Sequence, residues 1–263
     1  MGSGRRKMNI QNQYLVSLAS KGVRMDGRKH DEHRKTVIEK NIIEKAEGSA
    51  RVSLGRTEVI AGVKIDIGTP FPDRPEEGVL MTNAEFSPIA SPEFEKGPPS
   101  EDAIELARVV DRGIRESGMI DVGKLCIEKG EKVWMVFVDI HILNHEGNLT
   151  DAASLAAVTA LLNSRMPAFD GEKVDYYGKK GKALPVKAMP VAVTMAKIGK
   201  SLLVDPNLEE EKAAECRITV TTSDNGNLVA LQKSGSGSLT LEEIERAFEI
   251  SGRVRKSIRK LMK

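Results

Sequence analysis

Gly97-Pro-Pro-Ser-Glu-Asp-Ala-Ile-Glu-Leu-Ala-Arg-Val-Val-Asp-Arg-Gly-Ile-Arg-Glu-Ser-Gly-Met-Ile120 is the stretch around which the rest of the chain is arranged. Pro98-Pro99 makes a stiff lead-in, Ser100 is a good N-cap, and Glu101 and Asp102 stand where the positive end of a helix favours acids. Gly118 is a natural stop. At about 100° per residue, Ala103, Leu106, Ala107, Val109, Val110 and Ile114 share one broad side, while Arg108, Arg112 and Arg115 fall within about 60° on the other. The predicted helix buries one face and offers three guanidiniums on the opposite one. Such a row suits a line of phosphates, because guanidinium is always charged and pairs bidentately with phosphate oxygens. The same pattern has a plainer reading. Glu105 lies three residues before Arg108 and Asp111 four before Arg115, so ion pairs along a solvated helix also account for much of it.

The composition narrows the function classes. A chain of 263 residues is long enough for a substantial core and for two halves, and 40% hydrophobic with 30% charged residues describes a globular protein with a heavily charged surface. A net charge of +2 supplies no global field, so nucleic-acid binding must come from a local patch. Aromatic residues at 4% argue against a base-stacking platform. Cys126 and Cys216 form no metal-binding or redox pair, which leaves two buried thiols in a reducing compartment as the expectation. No apolar run reaches membrane-spanning length and no secretory segment is evident, so the chain reads as cytoplasmic with no membrane contact. Met1-Gly-Ser-Gly4 reads as a flexible arm or tag remnant and is set aside.

In chain order, Ile10 to Ala19 predicts a short helix, and Arg24-Met-Asp-Gly-Arg28 an Asp-Gly turn. Short strands follow at Thr36 to Ile43, Ser49 to Leu54 and Thr57 to Ile65, an antiparallel meander turning at Gly55-Arg56. Pro70, Pro72 and Pro75 break the segment from Gly68 to Gly78 into an exposed loop, and its Thr69 to Glu77 part is a candidate channel lining. The sheet resumes at Val79 to Ile89. After the central helix come strands at Lys124 to Glu128 and Lys132 to Ile142. The run Val133-Trp-Met-Val-Phe-Val138 in the second implies burial on both faces. Ala152 to Asn163 is an alanine-rich helix, and the polar stretch Asp170 to Lys182 a connection. Strands at Lys187 to Lys197 and Ser201 to Val204, a helical turn at Glu209 to Ala214, and a hairpin from Arg217 to Lys233 about Asp224-Asn-Gly226 make a second unit. Thr240 and Glu243 form a capping box for a long last helix, with Leu239 stapling onto Ile244. Hairpins followed by a helix, twice over, predict an α+β fold of duplicated β-α units with mixed and antiparallel sheets: an N-terminal arm and helix over 1–20, a first half over 21–175 and a second over 176–263.

Four stretches together resemble the ribonuclease PH superfamily: Arg24-Met-Asp-Gly-Arg28, Glu44-Lys-Ala-Glu-Gly-Ser-Ala50, Gly97 to Arg112, and Gln232-Lys-Ser-Gly235. The likeness runs from about Tyr14 onward, and within the superfamily it is greatest to the non-catalytic members of the archaeal exosome. It implies a ribonuclease PH-like fold and pairing with a catalytic ribonuclease PH-like subunit. Three such heterodimers would close into a hexameric ring, carrying RNA-binding cap proteins and threading single-stranded RNA 3′ end first for phosphorolysis. Arg108 and Arg112, with Arg115 beside them, would hold RNA phosphates. No cofactor of this chain's own is implied; inorganic phosphate, and a divalent metal where one is used, belong to the partner's active site.

Departures from the active members matter equally. Those relatives place an arginine in a glycine-rich turn at a helix start, where phosphate binds. Here Gly147-Asn-Leu-Thr150 is followed by Asp151, an acid where an anion should sit. From Ala183 to Val204 no Asp or Glu occurs, although catalytic relatives carry metal-binding aspartates there. The expectation is a kept fold, partly kept RNA binding, no catalytic residue and no metal site. The competing reading is a self-sufficient phosphorolytic exoribonuclease or nucleotidyltransferase using a relocated acid pair, for instance Asp139 with Asp151. Asp139, His141 and His145 alternate along a predicted strand, a weak metal pattern. His30 and His33 read as a solvated charge run, and Ser234-Gly-Ser-Gly-Ser238 as a flexible connector.

Overall fold

The computed structural model describes residues 10–171, 173–176, 178 and 181–262. The Met1 to Gly4 arm and part of the 170–182 connection lie outside the described residues. Period-two alternation builds the first sheet. β1 (Thr36–Lys40), β2 (Gly48–Leu54) and β3 (Thr57–Gly68) run antiparallel, β3 pairs antiparallel with β6 (Lys132–Asn144), and β4 (Val79–Phe86) lies parallel to β6. The order is β1-β2-β3-β6-β4, with β5 (Cys126–Glu128) also on β6. Val59, Ala61, Val63 and Ile65 of β3 and Val136, Val138, Ile140 and Ile142 of β6 are buried on one face. Against that face pack α2 (Glu101–Glu116) and α3 (Leu149–Leu162).

The second sheet is antiparallel throughout, in the order β10 (Ser201–Val204), β9 (Val191–Ile198), β11 (Cys216–Thr222), β12 (Leu228–Ser234). α3 touches β2 and β3 of the first sheet and β9 of the second. Ala152, Ala153, Ala156, Ala157 and Ala160 are fully buried there, and their small side chains let two sheets approach one helix from both sides. α2 also meets β12, and α5 (Leu241–Met262) lies on β9 and β11 and reaches β1, so one apolar core joins both sheets. α1 (Ile10–Ser20) and α4 (Leu208–Ala213) close a satellite core around Ala19, Ile198 and Leu203. A two-stranded ribbon pairs β7 (Ala168–Phe169), just before the stretch expected to be a plain connection, with β8 (Val174–Asp175) inside it.

Several expected boundaries move for local reasons. β1 stops at Lys40 because Asn41 takes a left-handed φ of 56°. β4 ends at Phe86, where Ser87-Pro88 turns and leaves Ile89 exposed. The strand expected from Lys124 begins only at Cys126, after a 3₁₀ turn at Val122–Leu125. Pro190 holds back the strand expected from Lys187, which starts at Val191. The run in β6 is buried on one face and half-buried on the other, where Trp134 meets Phe169 edge to face, so the expected burial on both faces does not occur. Of the two thiols, Cys216 is buried and Cys126 only half-buried. The Gly-Ser segment is packed rather than a free connector: Gly237 donates to the Glu215 carbonyl at 2.9 Å, and Gly235, at φ 90°, lies against Cys216.

Candidate nucleic-acid interface

α2 begins as its sequence dictates. The Ser100 hydroxyl accepts from the Ala103 amide at 3.2 Å, and Ala103, Leu106, Ala107, Val110 and Ile114 are buried. Arg108, Arg112 and Arg115 are all exposed on the opposite side, along a groove of about 1000 Å³ whose other wall includes Met81, Asn83 and Gln232. Their circumstances differ. Arg115 is held: its Nε donates to Asp111 Oδ2 at 3.0 Å and one Nη to the Leu80 carbonyl at 3.0 Å. Arg108 and Arg112 have no hydrogen bond or ion pair with a described residue. The Glu105–Arg108 pair that spacing suggests does not form, because Glu105 instead accepts from the Ser234 hydroxyl at 2.8 Å.

The turn before α3 is the other part of the site. Asn148 is a left-handed N-cap, φ 54°, so the helix starts at Leu149, three residues earlier than alanine content suggests. Its backbone N–H donates to Glu211 Oε1 at 3.0 Å. A side-chain carboxylate thus occupies an amide at the helix start that would otherwise be open to an anion. A side chain at Gly147, φ 88°, would overlap the backbone of Asn207-Leu208. Asp151 is buried: Oδ1 accepts from the Thr194 hydroxyl at 2.7 Å, and Oδ2 from the Thr194 amide at 3.0 Å and from Asn148 Nδ2 at 2.9 Å. Burial pushes its carboxyl pKa up, against the opposing pull of His33 and these hydrogen bonds. The acid is an internal fastener, not a group facing a ligand.

Asp205 is the centre of this junction and was not picked out by spacing. It directly follows the acid-free stretch, is fully buried, and takes a left-handed φ of 49°. Arg34 grips it with Nη2 on Oδ1 at 2.7 Å and Nε on Oδ2 at 2.9 Å, Arg28 Nη1 reaches Oδ2 at 3.1 Å, and Asn148 Nδ2 reaches Oδ1 at 2.7 Å. Burial alone would raise its pKa. The Arg34 hydrogen bond, then the charges of His33 and Arg34, outweigh that and hold the group at about 2. The Asp-Gly turn likewise proves structural, since Arg24 is buried in a bidentate pair with Glu210 at 2.5 and 2.8 Å. His33 is no part of a solvated run: its ring is wedged 3.6 Å from Asp151 Oδ2 and 3.8 Å from Asp205 Oδ2. His30 is half-buried, and its carbonyl accepts from the Val204 amide at 2.7 Å.

The remaining sequence candidates do not converge. Asp139 sits beside Asn83 Nδ2 at 3.3 Å and His141 beside Glu85 at 3.3 Å, whereas His145 lies beyond β6 and stacks on Phe94. Among the described residues no such cluster is placed to hold a metal. Asp139 projects from the face of β6 opposite buried Val138 and Ile140, the face on which α3 packs. The Asp139–Asp151 acid pair suggested for a self-sufficient enzyme is therefore not formed. No helix among the described residues is long and apolar enough to cross a membrane.

Two sheets sharing one alanine helix, with an arginine-bearing helix against the first, make a ribonuclease PH-like α+β fold. The chain belongs to the 3′ exoribonuclease family, matching its domain 1 over residues 32–167 and its domain 2 over residues 188–254. It is 51% identical over 245 residues to a protein named exosome complex component Rrp42 from Methanocella arvoryzae, covering 92% of this chain and 91% of that protein. A solved structure described as the Archaeoglobus fulgidus exosome with RNA bound to the active site contains a chain that is 48% identical. It superposes with a TM-score of 0.90, covering 97% of this chain and 98% of that one. A chain of an archaeal exosome core is 45% identical with a TM-score of 0.85, covering 97% of each.

Proposed function

We propose that this chain is a non-catalytic subunit of an archaeal exosome ring, pairing with a catalytic ribonuclease PH-like subunit in a hexamer of three heterodimers. It holds single-stranded RNA on Arg108 and Arg112, with Arg115 in support, for 3′ to 5′ phosphorolysis and reverse tailing at the partner's active site. One contrast carries the reading. Two guanidiniums on α2 have no partner among the described residues, while the turn that binds phosphate in active relatives is filled by the chain's own Glu211, Asn148 and Asp151. A site whose amide already holds a carboxylate, with another buried acid behind it, repels inorganic phosphate. The relatives' naming as exosome components points the same way. In this reading inorganic phosphate and any divalent metal act at the partner, cap proteins bind the ring, and the protein works in the cytoplasm. The division at about residue 175 belongs to the same reading, supported by one sheet on either side of it.

The test is phosphate-dependent degradation of single-stranded RNA by the purified chain, alone and mixed with a catalytic ribonuclease PH-like partner. The expected result is no nucleoside diphosphate from the chain alone and processive release from the mixture. Replacing Arg108 and Arg112 with alanine should weaken RNA binding about tenfold and flatten its salt dependence. Phosphorolysis by the chain alone, with contamination excluded, would overturn the proposal.

A further inference from the structure

A second concavity, of about 350 Å³, opens beside the arginine groove between α2, the loop after β4, the start of α3, α4 and the β11-β12 edge. The two share Glu105, Val109 and Gln232 as lining residues, so they meet at the shoulder of α2. Its size lies in the range of small-ligand sites, and its chemistry limits what can enter. Phosphate is unsuited. Its acids are Glu93, Asp102, Glu105 and Glu211, and its two cations are already engaged, Lys212 with Glu93 at 3.0 Å and Arg217 with Glu211 at 2.7 Å. A free cation is also poorly served: Glu93 and Glu211 are neutralised by those pairs and Glu105 accepts from Ser234, which leaves Asp102 as the one lining acid without a partner among the described residues.

What else the lining offers is a patch of rings. Phe86 and Phe94 pack with ring centroids 4.6 Å apart, and His145 lies nearly parallel to Phe94, 5.4 Å away at 15°. Burial, the largest influence on His145, lowers its pKa and favours the neutral imidazole. The amide of Gln232 sits at the junction with no hydrogen bond to a described residue, leaving a donor and an acceptor free for the edge of a planar ring. We infer that one unpaired base of an RNA held along Arg108 and Arg112 turns past Gln232 into this concavity and lies against the Phe86, Phe94 and His145 rings. The inference rests on the RNA-holding reading above and gives it a base-recognition element. Phosphates stay on the arginine row, and the acidic pocket admits only the uncharged part of the nucleotide. Gln232 is then a positioning residue for the base edge.

The experiment uses the full chain with its catalytic partner and a short single-stranded RNA carrying 4-thiouridine at each position in turn, together with a matched series containing one abasic site. At one position crosslinks should fall on the peptides bearing Phe94 or His145, and loss of that base should weaken binding about fivefold. Gln232→Ala, at a half-exposed strand position, should abolish that penalty while leaving the response to salt unchanged. RNA bound in an Arg108- and Arg112-dependent way, with no crosslink in the concavity and no abasic penalty, overturns the inference and spares the RNA-holding reading. Affinity unchanged by the arginine substitutions overturns both.

Discussion

Arg112 on α2 and Arg34 in the segment before β1 are the same side chain in opposite circumstances. Arg34 is largely buried, gripping Asp205 through two nitrogens and donating to the carbonyls of Glu146 at 2.8 Å and Gly147 at 3.1 Å. Arg112 is exposed on a groove and has no protein partner among the described residues. A buried guanidinium must be fully paired, or its desolvation destabilises the fold; an exposed one can be left open. The junction between the sheets therefore pairs its charges internally, whereas α2 leaves Arg108 and Arg112 open to the groove.

The largest expected effect tests the internal side of that contrast. Arg34→Ala leaves Asp205 charged and buried without its bidentate partner, which costs about 3–5 kcal/mol in urea denaturation. Arg112→Ala should change stability by less than about 0.5 kcal/mol. Equal losses would break the comparison. Next in size is acid titration. The Asp205 pKa is lowered in the fold from 3.8 to about 2, so its stabilisation is full above pH 4 and disappears as pH falls towards 2. That amounts to about 2 kcal/mol, to be seen as a steepened loss of stability in that window and removed in Asp205→Asn after allowance for its lower baseline. Asp151 acts with the opposite sign: its raised pKa makes the buried charge a penalty at neutral pH that protonation relieves. The smallest effect concerns the third arginine. Because Asp111 and the Leu80 carbonyl already hold Arg115, Arg115→Ala should weaken RNA binding by no more than about threefold in a filter or anisotropy titration. A loss equal to that of Arg112→Ala would place Arg115 among the free cations.

How much of this was legible in the chain depends on distance along it. Signals a few residues long read correctly: the Ser100 cap, the Thr240–Glu243 box with bonds of 2.8 and 3.2 Å, and the Asp224-Asn-Gly226 hairpin turn with Gly226 at φ 87°. The arginine row was legible because helical period alone places it. The junction was not. Nothing local to Asp205 signals that arginines some 170 residues earlier will bury it, nor does the solvated look of Lys29 to His33 reveal that His33 is wedged between two acids. Asp151 read as an acid facing an anion site, whereas it is buried and engaged by Thr194, an arrangement that depends on β9 packing behind α3.

The Arg24–Glu210 pair spans 186 residues of sequence and is sealed from water. During synthesis Arg24 emerges long before Glu210 exists. The first sheet can assemble, but the segment from Arg24 to Arg34 has no place to dock until β10 and α4 have been made. Closure of the molecule is thus a late, long-range event that brings a high loop-closure cost to the final step. Until then α1 and the arginine segment remain accessible to proteases and chaperones. A chain truncated before residue 205 would carry its N-terminal arginines permanently undocked, marking it as unfinished to the machinery that clears incomplete proteins.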